Sequence, residues 1–337
     1  MLHPVTFSDG PAGAGGPSPC SLMTVVTSPI DLTPPPAVIA ALRALGVNKI
    51  RPDETGSTFV GKTSKTALVL GEGGFSVVHL GFKSTPEGVV TPAAVAKSKK
   101  KINLTFLELL QSIPQSPFIL ARPTHVPGDK HTRLCMDLLP AGGDLITQIA
   151  AHPQDDEWAQ WTTFIAGMVS VTQALAVFHA AGMVHRDCTL ENSCTTGLFD
   201  HGTLCKAGEF SPVMGAALAS TPPEILKAIK YLLESQGEDT SLVVSLLSAS
   251  DPTDSQDPAE YNLDDGTIAY TTASDVYVVG YQFQRVLKSL QHPEVFLNHD
   301  LSFFAEMLHP NPLHRPGIHT FIYPLKHYLA QLMGGAP

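Results

Sequence analysis

Apolar residues alternate in short runs through the first part of the chain and recur at helical spacing through the rest. From about Thr66 the runs TALVLGEG, FSVVHLGF and VVTPAAVAKSK are β-type and bounded by Gly or Pro, which predicts a meander of antiparallel strands. After Asp144 the period changes. Phe164, Met168, Val171, Leu175 and Phe178 fall at steps of four, three, four and three, the stripe of one long helix that Gly182 ends. Ser274 to Gly280 opens a second strongly apolar helix with Ser274 as its expected cap. Upstream, Pro34, Pro35 and Pro36 lead into AVIAALRALG, a short helix closed by Gly46.

These patterns divide the chain into a Gly/Pro/Ser-rich tail expected to be flexible (1–30) and an N-terminal extension with a short helix (31–65). A β-rich lobe (66–140) and a helical lobe (141–335) follow. The acidic, polar stretch from Glu234 to Asp265 marks an insertion at about 225–272. The expected fold class is α+β, with a small β-rich N-lobe, a larger helical C-lobe and a cleft between them.

Composition narrows the partners. With 337 residues and 43% hydrophobic content the chain can bury the cores of two lobes. A net charge of -10 argues against a nucleic-acid partner, which calls for a basic face. The lysines after Lys97, up to Lys101, read as a solvated turn. Cys20, Cys135, Cys188, Cys194 and Cys205 form no CxxC pair and predict reduced thiols in a cytoplasmic protein. The N-terminus shows no secretory h-region. Phe164–Val184 is the most membrane-like stretch, but Gln173, His179 and its one-face periodicity predict a soluble helix and no membrane partner. The histidines show no zinc-ligand spacing. Gly56 to Thr63 fits the pattern G-x-x-x-x-G-K-[ST], but it lacks the preceding strand and following helix that such a phosphate loop needs.

Three segments carry candidate chemistry. Leu70-Gly-Glu-Gly-Gly-Phe-Ser-Val-Val-His-Leu-Gly81 lies between two β-type runs, where glycines let backbone N–H groups approach phosphate oxygens. Val95-Ala96-Lys97 ends a third run and offers an ammonium to the same phosphates. His185-Arg-Asp-Cys-Thr-Leu-Glu-Asn192 follows the long helix directly.

This ordered set resembles the eukaryotic protein kinases over about residues 66 to 330. The resemblance implies a two-lobed protein-kinase-like fold that binds ATP and Mg²⁺ and transfers the γ-phosphate to a hydroxyl, Ser/Thr in type, of an unidentified protein substrate. It places ATP at Gly71, Gly73, Gly74, Val78 and Lys97, with Glu108 as the helix partner of Lys97. Met136-Asp137-Leu138-Leu139 resembles the hinge, which gives Asp137 and Leu139 to the adenine edge, and Gly142-Gly143-Asp144-Leu145 the start of the large lobe. Asp187 matches the residue that accepts the substrate proton, and Asn192 a magnesium ligand. Thr221-Pro-Pro-Glu224 resembles the end of the activation segment, Arg315 the arginine that pairs with its glutamate, and Asp275 the acidic anchor of the central helix. Arg186 suggests control by a phosphate on that segment, at Ser220 or Thr221.

The departures leave choices open. Ser76 stands for the third loop glycine, Val95 for an alanine, and Thr189 for the catalytic-loop lysine. The magnesium triplet is expected at Glu209-Phe210-Ser211, with Glu209 as metal ligand; Asp200-His201-Gly202 competes, but leaves only seven residues after Asn192 for two strands and a turn. Pro258-Ala-Glu260 competes with Glu224 as the segment end. Two functions follow: a kinase using Lys97, Asp187, Asn192 and Glu209, or a pseudokinase that serves as a scaffold or allosteric binding partner.

Overall fold

The computed structural model describes residues 34–45, 47, 49–53, 58–62, 68–72, 76–98, 104–127, 133–139, 143–213, 218–250, 259–293, 296 and 303–334. Gly73, Gly74, Gly46, Gly142, Gly56, Pro258 and the 1–30 tail lie outside them. The chain is mixed α and β: an antiparallel N-terminal sheet followed by a mainly helical C-terminal part.

Helix α1 (Pro36–Ala44) starts where the prolines predict, with Pro at its first position, and buries Val38 and Leu42. The strands are β1 (Lys49–Pro52), β2 (Phe59–Lys62), β3 (Val69–Glu72), β4 (Ser76–Ser84), β5 (Val90–Ser98), β6 (Thr124–Val126) and β7 (Arg133–Asp137). They pair in the order β1-β2-β4-β5-β7-β6, and β3 joins β4. The sheet therefore begins at Lys49 rather than near Thr66. Val38, Leu42, Val47 and Phe59 form one buried cluster, so the extension packs onto the sheet it helps to build. The far half of β4 pairs with β2 (Gly81↔Lys62) and the near half with β3 (Val78↔Gly71). Lys62 of the phosphate-loop-like motif thus belongs to a strand, and β3 is the next described element.

Helix α2 (Thr105–Ser112) lies between β5 and β6. The C-terminal part then runs through α3 (Leu145–Ala150), α4 (Glu157–Ala180), β8 (Met183–Val184), β9 (Ser193–Cys194), β10 (Gly197–Leu198), β11 (Cys205–Lys206) and β12 (Phe210–Pro212). It continues with α5 (Pro223–Ser235), α6 (Ser241–Ser250), β13 (Tyr261–Asn262), β14 (Thr267–Ala269), α7 (Thr272–Ser289), α8 (Phe303–Met307) and α9 (Ile322–Gly334).

Helix α4 is capped by Asp156, which accepts the Ala159 N–H. It is buried beyond the single stripe its periodicity suggested: Ile165, Val169, Thr172 and Ala174 are buried as well as Phe164, Met168, Val171, Leu175 and Phe178. The difference arises because α3, α9, β8 and β10 pack around it. Its length and composition would suffice to cross a bilayer, yet its side chains form the main core, where Trp161 donates its indole N–H to the Tyr328 hydroxyl at 2.8 Å.

The described residues of the 225–272 region are packed. Ile225, Leu226, Ile229 and Leu232 of α5, Val243 of α6 and Ile268 of β14 form a second core with Val184 and Cys205. The apolar stripe of α5 ends at Leu232, just before the acidic stretch that begins at Glu234. The strands β12-β14-β13 form a sheet on it. Ser274 is not a cap. Thr271 occupies that position without a side-chain bond, and Ser274 is buried inside the first turn of α7.

Candidate functional site

The segment His185–Asn192 leaves the end of α4 through Gly182, whose φ of +71° needs a residue free of a Cβ clash, and crosses β8. Its shape is held from below by Asp275, which is completely buried in the first turn of α7. The backbone N–H groups of His185 and Arg186 donate to its two oxygens at 2.8 Å each, and the His179 ring donates at 3.0 Å. Burial alone would raise the pKa of Asp275, but the His179 hydrogen bond and the charges of His179 and His185 hold it below the usual carboxylate value. Arg186 can therefore keep a left-handed φ of +70°, which presents Asp187 on the next step of the chain.

The carboxylate of Asp187 accepts the Asn192 side-chain N–H at 2.8 Å, and the same amide donates to the Asp187 carbonyl at 3.0 Å. Burial, then the negative charge of Asp200, push Asp187 up to about 6, against the Asn192 bond that favours the ionised form. The charge of Asp200 thus acts on the titration of Asp187.

The hairpin after Asn192 bears on the two competing metal triplets. Strands β9 and β10 are two residues each, with Thr195 and Thr196 as the turn, so the whole hairpin fits before Phe199. Gly197 allows this: a Cβ there would lie 2.3 Å from the Phe118 carbonyl, which instead accepts the Leu198 N–H. Asp200 follows at once, in a left-handed conformation with φ +54° that Asp tolerates. Glu209 lies beyond β11, 61% exposed, and its carboxylate pairs with Lys206 at 3.0 Å. Ser211 belongs to β12. The structure joins Asp187 to Asn192 by a hydrogen bond and sets Asp200 directly after the short hairpin, while Glu209 pairs with Lys206.

His201 is buried next to Asp200. Its Nε2 must donate to the Leu120 carbonyl at 2.9 Å, so its Nδ1 accepts the His185 Nε2–H at 3.2 Å, and both rings pack on Phe178. Neutral His185 then has its Nδ1 left as a buried acceptor, which has no hydrogen-bond partner. Burial and then the neighbouring His185 charge lower His201 to about 3, and burial lowers His185 as well. No expectation was attached to His201. The signal available was its place after Asp200.

On the sheet side, Lys97 stands in β5 between Val77 of β4 and Arg133 of β7. Val78 pairs with Ala96 and packs on the main core. Gly71 is placed in β3 opposite Val78. Asp137 ends β7 with an exposed side chain paired to Lys83, and Leu139 follows it, half-buried. The expected partner of Lys97 is not in place. Helix α2 turns Phe106, Leu107 and Leu110 into the core, which puts Glu108 on its exposed face, and Lys97 and Glu108 form no ion pair. What fixes the end of α2 is Arg122, which donates to the carbonyls of Leu110 and Ile113 at 3.1 Å each and to that of Pro114.

Further along, Arg315 binds both carboxylate oxygens of Glu224, as the segment-end assignment requires, while Glu260 lends its carbonyl to Ala269. Ser220 and Thr221 are buried, and Arg186 is engaged internally by the carbonyls of Thr203 and Pro212 and by the Tyr270 ring 5.0 Å below it. The anticipated phosphate control at these residues therefore finds neither an accessible acceptor nor a free arginine.

A cleft of about 520 Å³ opens on Asp187, lined by Thr189, Asn192, Ser220, Tyr281 and Gln282. Glu191 and Arg285 also line it and bind each other at 2.9 Å. Among the described residues no group of three His, Cys, Asp or Glu side chains could enclose a metal ion. The chemistry available is that of a partly buried base bonded to an amide, beside an open cleft of mixed lining.

Over 182 residues, 51% of its length, the chain is 25% identical to the Rho-associated protein kinase let-502 of Caenorhabditis briggsae. That match covers 14% of the relative's own length. No protein-family model matches the chain. The similarity supports a kinase-like relationship, in keeping with the antiparallel sheet, the helical part and the order of motifs.

Proposed function

We propose that the chain is a protein-kinase-like domain that binds ATP with Mg²⁺ between its sheet and the Asp187 cleft and transfers the γ-phosphate to a Ser or Thr hydroxyl of a protein. The observation that carries this reading is the Asp187–Asn192 bond, with the charge of Asp200 acting on Asp187, in a loop held by the Asp275 anchor.

The donor set fits magnesium. Asp200 is an exposed carboxylate, and Asn192, whose amide nitrogen is committed to Asp187, would offer its side-chain oxygen as the other ligand. Mg²⁺ favours one or two such oxygen ligands alongside phosphates and water, so the lack of a larger protein cage is in keeping with it. When bound, the metal neutralises phosphate charge. In this reading Asp187 orients the acceptor hydroxyl and takes its proton, which suits a base lifted to about 6. Lys97 offers its ammonium to phosphate oxygens, Gly71 its backbone at the phosphate loop, and Val78 an apolar surface to adenine. The strand end at Asp137–Leu139 presents its backbone to the base edge.

A second reading is favoured by one observation. Glu108 is exposed and does not position Lys97, so a scaffold with a vestigial nucleotide site is the alternative. Thermal denaturation with and without Mg-ATP, together with transfer of labelled phosphate to a generic acceptor protein, separates the two. Binding at 100 times Kd stabilises by about 2.7 kcal/mol. A shift with transfer supports the enzyme, a shift without transfer supports the scaffold, and no shift rejects nucleotide binding.

A further inference from the structure

Three side chains of the Asp187 cleft have no part in the proposed transfer: Gln282, Arg285 and Glu191. Gln282 and Arg285 lie three residues apart on α7 and so share a helix face. Gln282 is only 1% exposed, and its amide oxygen is buried without a hydrogen-bond partner. A buried acceptor in that state is stabilised by any ligand that brings an N–H to it. An extended polypeptide offers one at every residue, and a lining that mixes polar and apolar surface suits its backbone and side chains together.

Arg285 adds a sign to the cleft. Among the described residues it has one partner: a single nitrogen, Nη1, donates to one oxygen of Glu191. The rest of its planar fork is uncommitted, and both side chains are about half exposed, where such a pair is weak. Glu191 is engaged in this contact through one oxygen. A cationic acceptor residue meets Arg285 as a like charge and has to open the pair to reach Glu191. An anionic one adds to a guanidinium with donors to spare.

We infer that this cleft is the acceptor subsite of the proposed transfer and that Arg285 makes it select a polypeptide hydroxyl flanked by an anionic side chain. Gln282 holds the backbone of that segment. The inference rests on the proposed kinase-like reading for its role, but not for its binding test.

The test uses four fluorescent peptides with one serine, flanked by aspartate, phosphoserine, alanine or arginine. Their binding to the full chain is read by anisotropy without nucleotide, and their phosphorylation is read separately. At low salt the aspartate and phosphoserine peptides are expected to bind about tenfold tighter than the arginine peptide. Arg285→Glu should reverse that order and Arg285→Ala should abolish it. Gln282→Met, which keeps the volume and removes the amide, should weaken all four by a similar factor. A phosphoserine preference without an aspartate preference narrows the anion to phosphate. An order unchanged in Arg285→Glu, tighter arginine-peptide binding by the wild type, or no binding by any peptide overturns the inference. Arg285-dependent binding without phosphorylation leaves the subsite standing and counts against transfer alone.

Discussion

Arg315 grips both carboxylate oxygens of Glu224, Nη1 to Oε1 at 2.7 Å and Nη2 to Oε2 at 2.8 Å, with the two side chains at 0% and 5% exposure. The guanidinium also donates to the carbonyls of His309, Ala273 and Pro310 and lies over the Tyr277 ring at 4.8 Å. It therefore ties α5 to α7 and to the chain before α9. Removing one side of a buried pair leaves an uncompensated charge, which costs roughly 3–5 kcal/mol. Arg315→Ala should lower the urea midpoint accordingly, and Arg315→Lys should recover only part of it, because an ammonium cannot make the two parallel bonds. A midpoint in Arg315→Ala within experimental error of the wild type would contradict the buried pair.

Asp187 is expected to be destabilising where it is ionised. Burial and Asp200 raise its folded pKa to about 6, above the unfolded value of 3.8, so the native state binds the extra proton between those values. The stability this lends is present below about pH 4 and is lost as pH rises through 6. Asp187→Asn keeps an acceptor for Asn192 without the charge. It should stabilise the chain at pH 7.5 by about 1–2 kcal/mol, with little effect at pH 4, and at the same time abolish transfer. Urea titrations at the two pH values and a transfer assay check both halves.

Much of this site is legible in the sequence because its motifs are local. The turn after α4, the Asp187–Asn192 loop and the helix that begins around Asp275 lie where their residues suggest. What is not legible depends on packing between distant segments. The room for Asp200 after the hairpin is not legible, because strands of two residues look too short until the close approach of Gly197 to the Phe118 carbonyl is known. Glu108 occupies a plausible position in the chain, but its helix rotates Phe106, Leu107 and Leu110 inward instead.

The buried pair His185–His201 should make the fold acid-sensitive. His201 is lowered to about 3 by burial and by His185; the facing groups are His185, the Leu120 carbonyl and Arg122, with Asp275, Asp200, Arg186 and His179 around His185. A depressed histidine pKa means that the unfolded chain takes up the proton first, so stability falls as pH drops below about 6.5. From pH 7.5 to 5 the loss from His201 alone is about 2 kcal/mol. His201→Phe retains the packing on Phe178 and should flatten the dependence of the melting temperature on pH over that interval. An unchanged slope would show that the pair does not set it.

Lys97→Met should weaken binding of a fluorescent ATP analogue, since it removes a charge-assisted contact to phosphate. Glu108→Ala should leave that affinity within about twofold, because an exposed side chain that does not meet Lys97 contributes little. Equal losses in the two variants would mean that α2 turns to bring Glu108 to Lys97 when nucleotide is present. That would also remove the observation that favours the scaffold reading.

Asp200 and Glu209 part the two possible registers of the metal site. Asp200 is exposed, acts on Asp187 by its charge, and is shorter by one methylene than a glutamate; Glu209 is committed to Lys206 beyond β11. A magnesium ion with near-ideal octahedral demands at about 2.0–2.1 Å favours the first. Asp200→Ala should therefore abolish transfer, and Asp200→Glu should lower it through the added reach, whereas Glu209→Ala should leave most of it. Thr189 is buried beside the same cleft, where it has no charge to give a transferring phosphoryl group. Thr189→Lys in the wild-type background should raise the rate, because one well-aimed charge in such a site is worth on the order of 10²–10³. The lysine ammonium can leave the cavity wall for the open cleft, so its burial need not cancel that gain. Phosphate incorporation and ADP release are measured for the wild type and all four variants. Loss of transfer in Glu209→Ala with retention in Asp200→Ala would restore the later register, and silence in every variant, Thr189→Lys included, would leave the chain a scaffold.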